Sequence, residues 1–344
     1  MHLAYSTPLR TGFRGLTARY GLLLQGARGW GDFCPFADYD DDAAVPWLLA
    51  AREAAEEGWP APVRDLVPVN VTIPAVGPSQ ARALVLAGAG CSTAKVKVAQ
   101  LTAGRPESLT AEVARVEAVA EALEELHGSG NWRIRLDVNG AWSVPQALRH
   151  LFELHAAAGS LEYVEQPCAT VDELAELRLE LARSGLPVLV AADESIRLAA
   201  DPLLVASRRA ADVVVLKVAP LGGVRACLQL AERLGLPVVV SSALESSLGL
   251  AAGLALAGAL PELPFACGLA TSQLLINDVI ANPLLPTEGH LPVLPADHPR
   301  LAPAPGSPAL QGIPAGLTRT WQERLARVGA LAGSPFGAER GGAT

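Results

Sequence analysis

From residue 68 onward, short runs of valine, leucine and isoleucine alternate with longer segments whose apolar residues recur every three to four positions. That switching of period is the signature of repeated strand and helix units around a parallel sheet. Eight strand-like runs can be read: 68–74 (PVNVTIP), 93–99 (TAKVKVA), 133–139 (RIRLDVN), 161–167 (LEYVEQP), 187–195 (PVLVAADES), 212–218 (DVVVLKV), 237–245 (PVVVSSALE) and 265–271 (FACGLAT). Segments such as 109–127 and 224–234 read as amphipathic helices between them, and several close on Gly-Leu-Pro or a similar stop. Eight units over roughly 200 residues fit a closed barrel better than an open sheet. The predicted fold is α/β, a (β/α)8 TIM-type barrel.

The first 67 residues follow another pattern. Segments 3–9, 16–26 and 30–33 predict an antiparallel meander and 41–58 predicts one or two helices, together an N-terminal α+β capping domain. The expected division is a cap at 1–67, a catalytic barrel at 68–278, and a Pro-rich C-terminal segment at 279–344. Within that segment 289–294 is expected to return to the cap, and 337–344 to be frayed. The apolar stretch 248–260 is interrupted by Gly249, Gly253 and Gly258 and falls short of the roughly 20 residues a membrane span needs. It predicts a buried barrel helix.

Composition narrows the function classes. With 344 residues, 50% hydrophobic and 18% charged, the chain reads as a soluble globular protein. A net charge of −8 gives no footprint for nucleic acid or an anionic membrane surface, so the expected partner is a small molecule, with a homo-oligomer left open. No signal peptide is read in the opening residues. Five cysteines stand singly, without a Cys-x-x-Cys pair, which argues against a zinc site and a disulfide framework and for a reduced, cytoplasmic protein.

One bias is sharper. Of 27 basic residues only three, Lys95, Lys97 and Lys217, are lysine; the other 24 are arginine. Arginine keeps its proton at any useful pH, whereas an ammonium can be tuned into a base. Lys95 and Lys97, two apart on the second predicted strand, point to one face, leaving Val96 and Val98 for the helices. Mutual repulsion is expected to depress one of the pair towards a useful base.

Asp137, Glu165, Asp193 and Lys217 fall at the ends of the third, fourth, fifth and sixth strands, spaced by 28, 28 and 24 residues. Active-site groups of a (β/α)8 barrel sit at that end. Three carboxylates on adjacent strands suit a hard divalent cation such as magnesium. No Gly-x-Gly-x-x-Gly follows the first strand, which weakens a dinucleotide-dependent reading.

The set Lys95-x-Lys97, Asp137-Val138-Asn139, Glu165-Gln166-Pro167, Asp193-Glu194-Ser195 and Lys217-x4-Gly222-Gly223 resembles the muconate-lactonizing branch of the enolase superfamily. Within that branch the likeness is to the o-succinylbenzoate synthase family of menaquinone biosynthesis, particularly its actinobacterial members. It runs from Gly12-Phe13-Arg14-Gly15 and Gly29-Trp30-Gly31-Asp32-Phe33 to about Asp278, and includes the phrases starting at Val69, Tyr163, Ser241 and Cys267.

The resemblance implies that Asp137, Glu165 and Asp193 hold Mg2+, with Mn2+ as a substitute. Lys97 would remove the proton α to a substrate carboxylate and then assist loss of a hydroxyl, through an enediolate that the metal stabilises. Lys217 would face the intermediate and Lys95 would tune Lys97, while Arg135, Asn139, Ser241 and Gly268 would contact or surround the substrate. Arg14 and Phe36 would belong to cap loops that set specificity. The implied activity is a dehydration yielding o-succinylbenzoate, with N-succinylamino acid racemisation and a non-catalytic metal-binding barrel as the alternatives.

Overall fold

The computed structural model describes residues 1–13, 15–102 and 104–333. Its centre is a parallel sheet whose first to seventh strands are Val71–Ile73, Thr93–Lys97, Arg133–Asp137, Leu161–Glu165, Leu189–Ala192, Val213–Leu216 and Val238–Val240, paired in that order. The eighth stave is two residues long. Cys267 donates to Pro68 O (2.7 Å) and accepts from Asn70 N (2.9 Å), while Gly268 donates to Val240 O (2.8 Å) and accepts from Ser242 N (3.0 Å). These bonds join the seventh strand to the first and close the barrel. The predicted strand at 265–271 is therefore much shorter than expected. Gly268 lies close against Ser241, and a Cβ there would meet Ser241 Oγ at 2.6 Å.

Valines and alanines that alternate with the inward residues pack outward against the helices, Val96 and Val98 among them, in one continuous core. Helices Leu109–His127 and Val224–Leu234 lie where the apolar period placed them. Ser247–Ala259, rich in alanine, glycine and leucine, is buried nearly all round, and among the described residues no helix is long and apolar enough to cross a membrane.

The cap is a three-stranded antiparallel meander, His2–Phe13, Leu16–Gln25 and Trp30–Phe33, followed by Asp41–Arg52 and a π-helical turn, Glu53–Glu57. Two later elements come back to it or to its junction with the barrel. His290–Pro292 pairs antiparallel with Leu66–Pro68, and the C-terminal helix Ala315–Ala332 packs on Asp41–Arg52. Arg14 and the segment 337–344 lie outside the described residues.

Candidate active site

A cavity of about 840 Å³ opens at the C-terminal end of the barrel strands, beneath the cap. All three lysines line it, with Asp137, Asn139, Ser241 and Gly268. Phe36, Tyr39 and Trp47 contribute from the cap, each packed edge-on against the others.

The strands place the charges in register. Lys97 lies beside Asp137, which lies beside Glu165, one residue per strand across the second, third and fourth strands. Lys95 Nζ donates to both Glu165 oxygens (3.1 and 3.0 Å) and stands 3.2 Å from Asp137 Oδ2. Lys97 Nζ reaches Asp137 Oδ2 (2.6 Å) and Asn139 Oδ1 (2.7 Å). Lys217 Nζ donates to Asp193 Oδ2 at 2.5 Å, and Arg197 Nε takes the other oxygen at 3.1 Å. Asn139 links the two clusters, because its Nδ2 donates to Glu194, which Arg197 also holds.

Local sequence explains these placements. Asn139 and Gly140 both adopt left-handed backbone (φ 53° and 75°), a conformation open to Asn and Gly, and so turn the chain out of the third strand at the cavity mouth. Gln166 is buried after the fourth strand. Its Oε1 accepts from the backbone N–H of Asp193 (3.0 Å) and Ser195 (3.1 Å), tying the fifth strand's carboxylate to the fourth strand's end.

Burial opposes ionisation of Asp137, but the ammonium groups of Lys97 and Lys95 outweigh it and hold its carboxyl below the usual range. Asp193 goes the same way: burial opposes, and Lys217 with Arg197 prevails. Glu165 is pushed up, first by burial and then by the charge on Asp137. Burial also works against the charge on Lys95, yet Glu165 and Asp137 raise its pKa. Lys95 is therefore not a base created by repulsion within the Lys95 and Lys97 pair; the carboxylates beside it decide its state.

Among the described residues no group of three or more His, Cys, Asp or Glu side chains stands ready to hold an ion. The amines occupy the oxygens that face one another. The donor set nonetheless fits a hard divalent cation. It is all oxygen, and one buried oxygen of the set, Asp137 Oδ1, has no hydrogen-bond partner.

Arg135 stands behind the cavity and not in its lining: it is inward-facing and 0% exposed, and its guanidinium donates to Glu162, Asn70 Oδ1 (3.3 Å) and Ala266 O (2.6 Å) and lies over the Tyr163 ring, with Nη2 left without a hydrogen-bond partner. Sequence reading missed Arg197 and the role of Glu194. Their signal was the spacing from Asp193 along the short helix Glu194–Arg197, where the fourth residue on returns to the same face.

A capped barrel with amines and carboxylates gathered at its mouth defines an enolase-type fold. Residues 79–305 match the family described as enolase C-terminal domain-like, and residues 4–55 match the enolase N-terminal domain-like family. The chain is 57% identical to o-succinylbenzoate synthase of Thermobifida fusca, with 94% of each chain covered. Identity is 46% to the same-named protein of Mycolicibacterium smegmatis, again over 94% of each. Among solved structures it resembles the muconate lactonizing enzyme of Pseudomonas fluorescens (TM-score 0.69, 22% identity, 94% and 96% covered). It also resembles the L-Ala-D/L-Glu epimerase of Bacillus subtilis (TM-score 0.70, 20% identity, 89% and 98% covered). The chain belongs to the o-succinylbenzoate synthase family of the enolase superfamily. It is an enzyme, and enzymes of this superfamily generally use a divalent metal.

Proposed function

We propose that the protein is a magnesium-dependent, cytoplasmic dehydratase of menaquinone biosynthesis, converting 2-succinyl-6-hydroxy-2,4-cyclohexadiene-1-carboxylate to o-succinylbenzoate. The observation that carries this reading is the 57% identity to a protein named o-succinylbenzoate synthase, and the entry of Lys97 and Lys217 into one cavity from strands two and six supports the chemistry. On the same reading residues 1–67 are the cap, 68–278 the catalytic barrel and 279–344 a tail returning to the cap.

Lys97, released from its proton, takes the hydrogen α to the ring carboxylate, and the electron pair passes into an enediolate. The ammonium so formed then protonates the hydroxyl on the same face. Water leaves and the ring becomes aromatic. Asp137 and Asn139 hold Lys97 at the cavity throughout. Lys217 stands across the site as a positive charge towards the enediolate. Lys95, kept charged by its carboxylates, steadies Glu165 and Asp137 beside the base. Asp137, Glu165 and Asp193 would hold Mg2+, with Mn2+ able to substitute, and the bound ion supplies a Lewis acid for the substrate carboxylate. Ser241 and Gly268, whose backbones bridge at the cavity wall, would receive the succinyl tail.

The test is turnover of the cyclohexadiene by purified protein, with Mg2+ and with chelator, beside Lys97→Arg. Turnover should require the metal and fall by at least about 100-fold in the variant, since guanidinium cannot serve as base. Chelator-insensitive turnover, or an active Lys97→Arg, would overturn the mechanism. Two amines reaching one cavity also suit N-succinylamino acid racemisation, which the same preparation tests with an N-succinylamino acid as substrate.

A further inference from the structure

Arg19 lines no part of the cavity, yet two of the cavity's walls hang on it. It sits on the second cap strand and is 3% exposed. Its Nε donates to Leu244 O (3.0 Å), in the loop after the seventh barrel strand, and its Nη2 donates to Cys34 O (2.6 Å) in the cap. The flat face of the guanidinium covers the Phe36 ring, 4.4 Å from its centroid. Leu244 and Phe36 both line the cavity.

Leu244 has φ of 66°, a left-handed conformation that a leucine adopts only where its surroundings impose it. Leu244 N donates to Ser242 Oγ (2.8 Å) within the loop. Two residues on, Ser246 is held by its N–H (3.1 Å) and its hydroxyl (2.6 Å) to the cap's Asp32, which also accepts from Tyr5. Two hydrogen-bonded ties thus run between cap and loop, and Arg19 makes the one at the strained residue, whose side chain packs among Leu9 and Leu16 of the cap, Leu274 and Leu275. Arg324 of the C-terminal helix donates to Phe36 O (3.1 Å) and Tyr39 O (2.5 Å). Phe36 is thus held by two arginines, its ring by Arg19 and its backbone by Arg324, whereas Leu244 is held by one.

We infer that Arg19 is a positioning residue that fixes the gap between Phe36 of the cap and Leu244 of the barrel loop, and so sets affinity for the substrate's tail. The inference rests on the activity proposed above. Its reach follows from chain continuity, because the loop springs from Ser241, assigned there to the succinyl tail. Only a planar fork with donors in two directions and an aromatic-binding face makes all three contacts; a lysine makes one at a time.

The experiment compares wild type, Arg19→Lys and Arg19→Met in steady-state dehydration, with thermal melts as a check that each variant folds. KM for the cyclohexadiene substrate should rise about tenfold in Arg19→Met and less in Arg19→Lys, with kcat within about twofold, as expected for lost ground-state contacts away from the reacting carbon. Should Arg19→Met not fold, a raised KM at near-normal kcat in Arg19→Lys carries the test alone. An unchanged KM in every folded variant, or a fall in kcat at constant KM, would overturn the inference. Wild-type protein that fails to turn over this substrate removes the activity assignment instead. Amide hydrogen exchange then decides for Arg19: the N–H groups of Leu244 and Ser246 should exchange faster in the variants, and unchanged exchange rejects the positioning role.

Discussion

Arg135 carries a full charge into the barrel floor, where water does not reach it. Burial works against that charge, and the nearby Tyr163 and Glu162 more than restore it. Removing one member of such a buried pair leaves the other uncompensated. Arg135→Met is therefore expected to lower the unfolding free energy by about 3 kcal/mol in denaturant melts, with KM unchanged in the folded fraction. A raised KM at unchanged stability would return Arg135 to the substrate. The position also shows what a strand pattern conveys. Period two placed Lys95 and Lys97 on one face, and they point inward, as do their partners on the next strand, Arg135 and Asp137. It does not tell depth. Arg135 lies one pleat below Asp137, about 7 Å further down the barrel, and its guanidinium turns to Ala266 O rather than to the mouth. The lysines and acids were legible because lysine occurs nowhere else in the chain and because the acids and Lys217 recur about one strand-helix unit apart, near the ends of successive strand-like runs. The pairings that hold Lys95 charged were not, because they depend on neighbours 42 and 70 residues away.

Among the elements, the helix Val224–Leu234 has no side-chain cap from its own sequence; Gly223 precedes it with φ of 125°. The missing acceptor comes from the cap. Glu53, buried in the π-helical turn, accepts from the N–H groups of Val224 and Arg225 and from the Arg225 guanidinium. A carboxylate at a helix start meets unsatisfied N–H groups and the positive end of the helix dipole together. Gly223 makes room for it, since a Cβ there would come within 2.3 Å of Glu53 Oε2. Glu53→Ala should cost about 2 kcal/mol in urea unfolding and Glu53→Gln about half that, because the amide keeps one acceptor. Equal stability of wild type and Glu53→Ala would show that the latch is idle. Helix positions were readable from the apolar period, since that period is local. Strand ends were read too long, by three residues in 187–195 against Leu189–Ala192 and by five in 237–245 against Val238–Val240, because nothing local marks where the ladder of hydrogen bonds stops. Glu53 gave no signal at all: its partners lie 171 and 172 residues on, and nothing in its own neighbourhood marks it.

At the scale of the whole molecule, the cap is fastened to the barrel through a titrating group. Asp32 on the third cap strand accepts from Tyr5 within the cap and from Ser246 in the barrel, and is 5% exposed. Burial raises its carboxyl from 3.8 to about 6, more than the hydrogen bonds from Ser246 and Tyr5 and the charge of Arg19 lower it. A carboxyl whose pKa is higher folded than unfolded binds an extra proton in the folded state between the two values. Its contribution is complete below the unfolded pKa and is lost as pH rises through the folded one. The buried carboxylates that are lowered instead, Asp137 and Asp193, contribute with the opposite sign, so the raw pH profile mixes both. Comparison with Asp32→Asn isolates the one group, since the amide still accepts from Ser246 but does not titrate. From pH 4.5 to 7.5 the wild type should lose about 2 kcal/mol relative to Asp32→Asn, most of it between pH 5 and 7. Denaturant melts of the two proteins across that range measure the difference directly. A difference that stays flat, or that grows in favour of the wild type as pH rises, would mean that Asp32 is ionised as easily in the folded chain as in the unfolded one, and that the cap is held by a permanent charge.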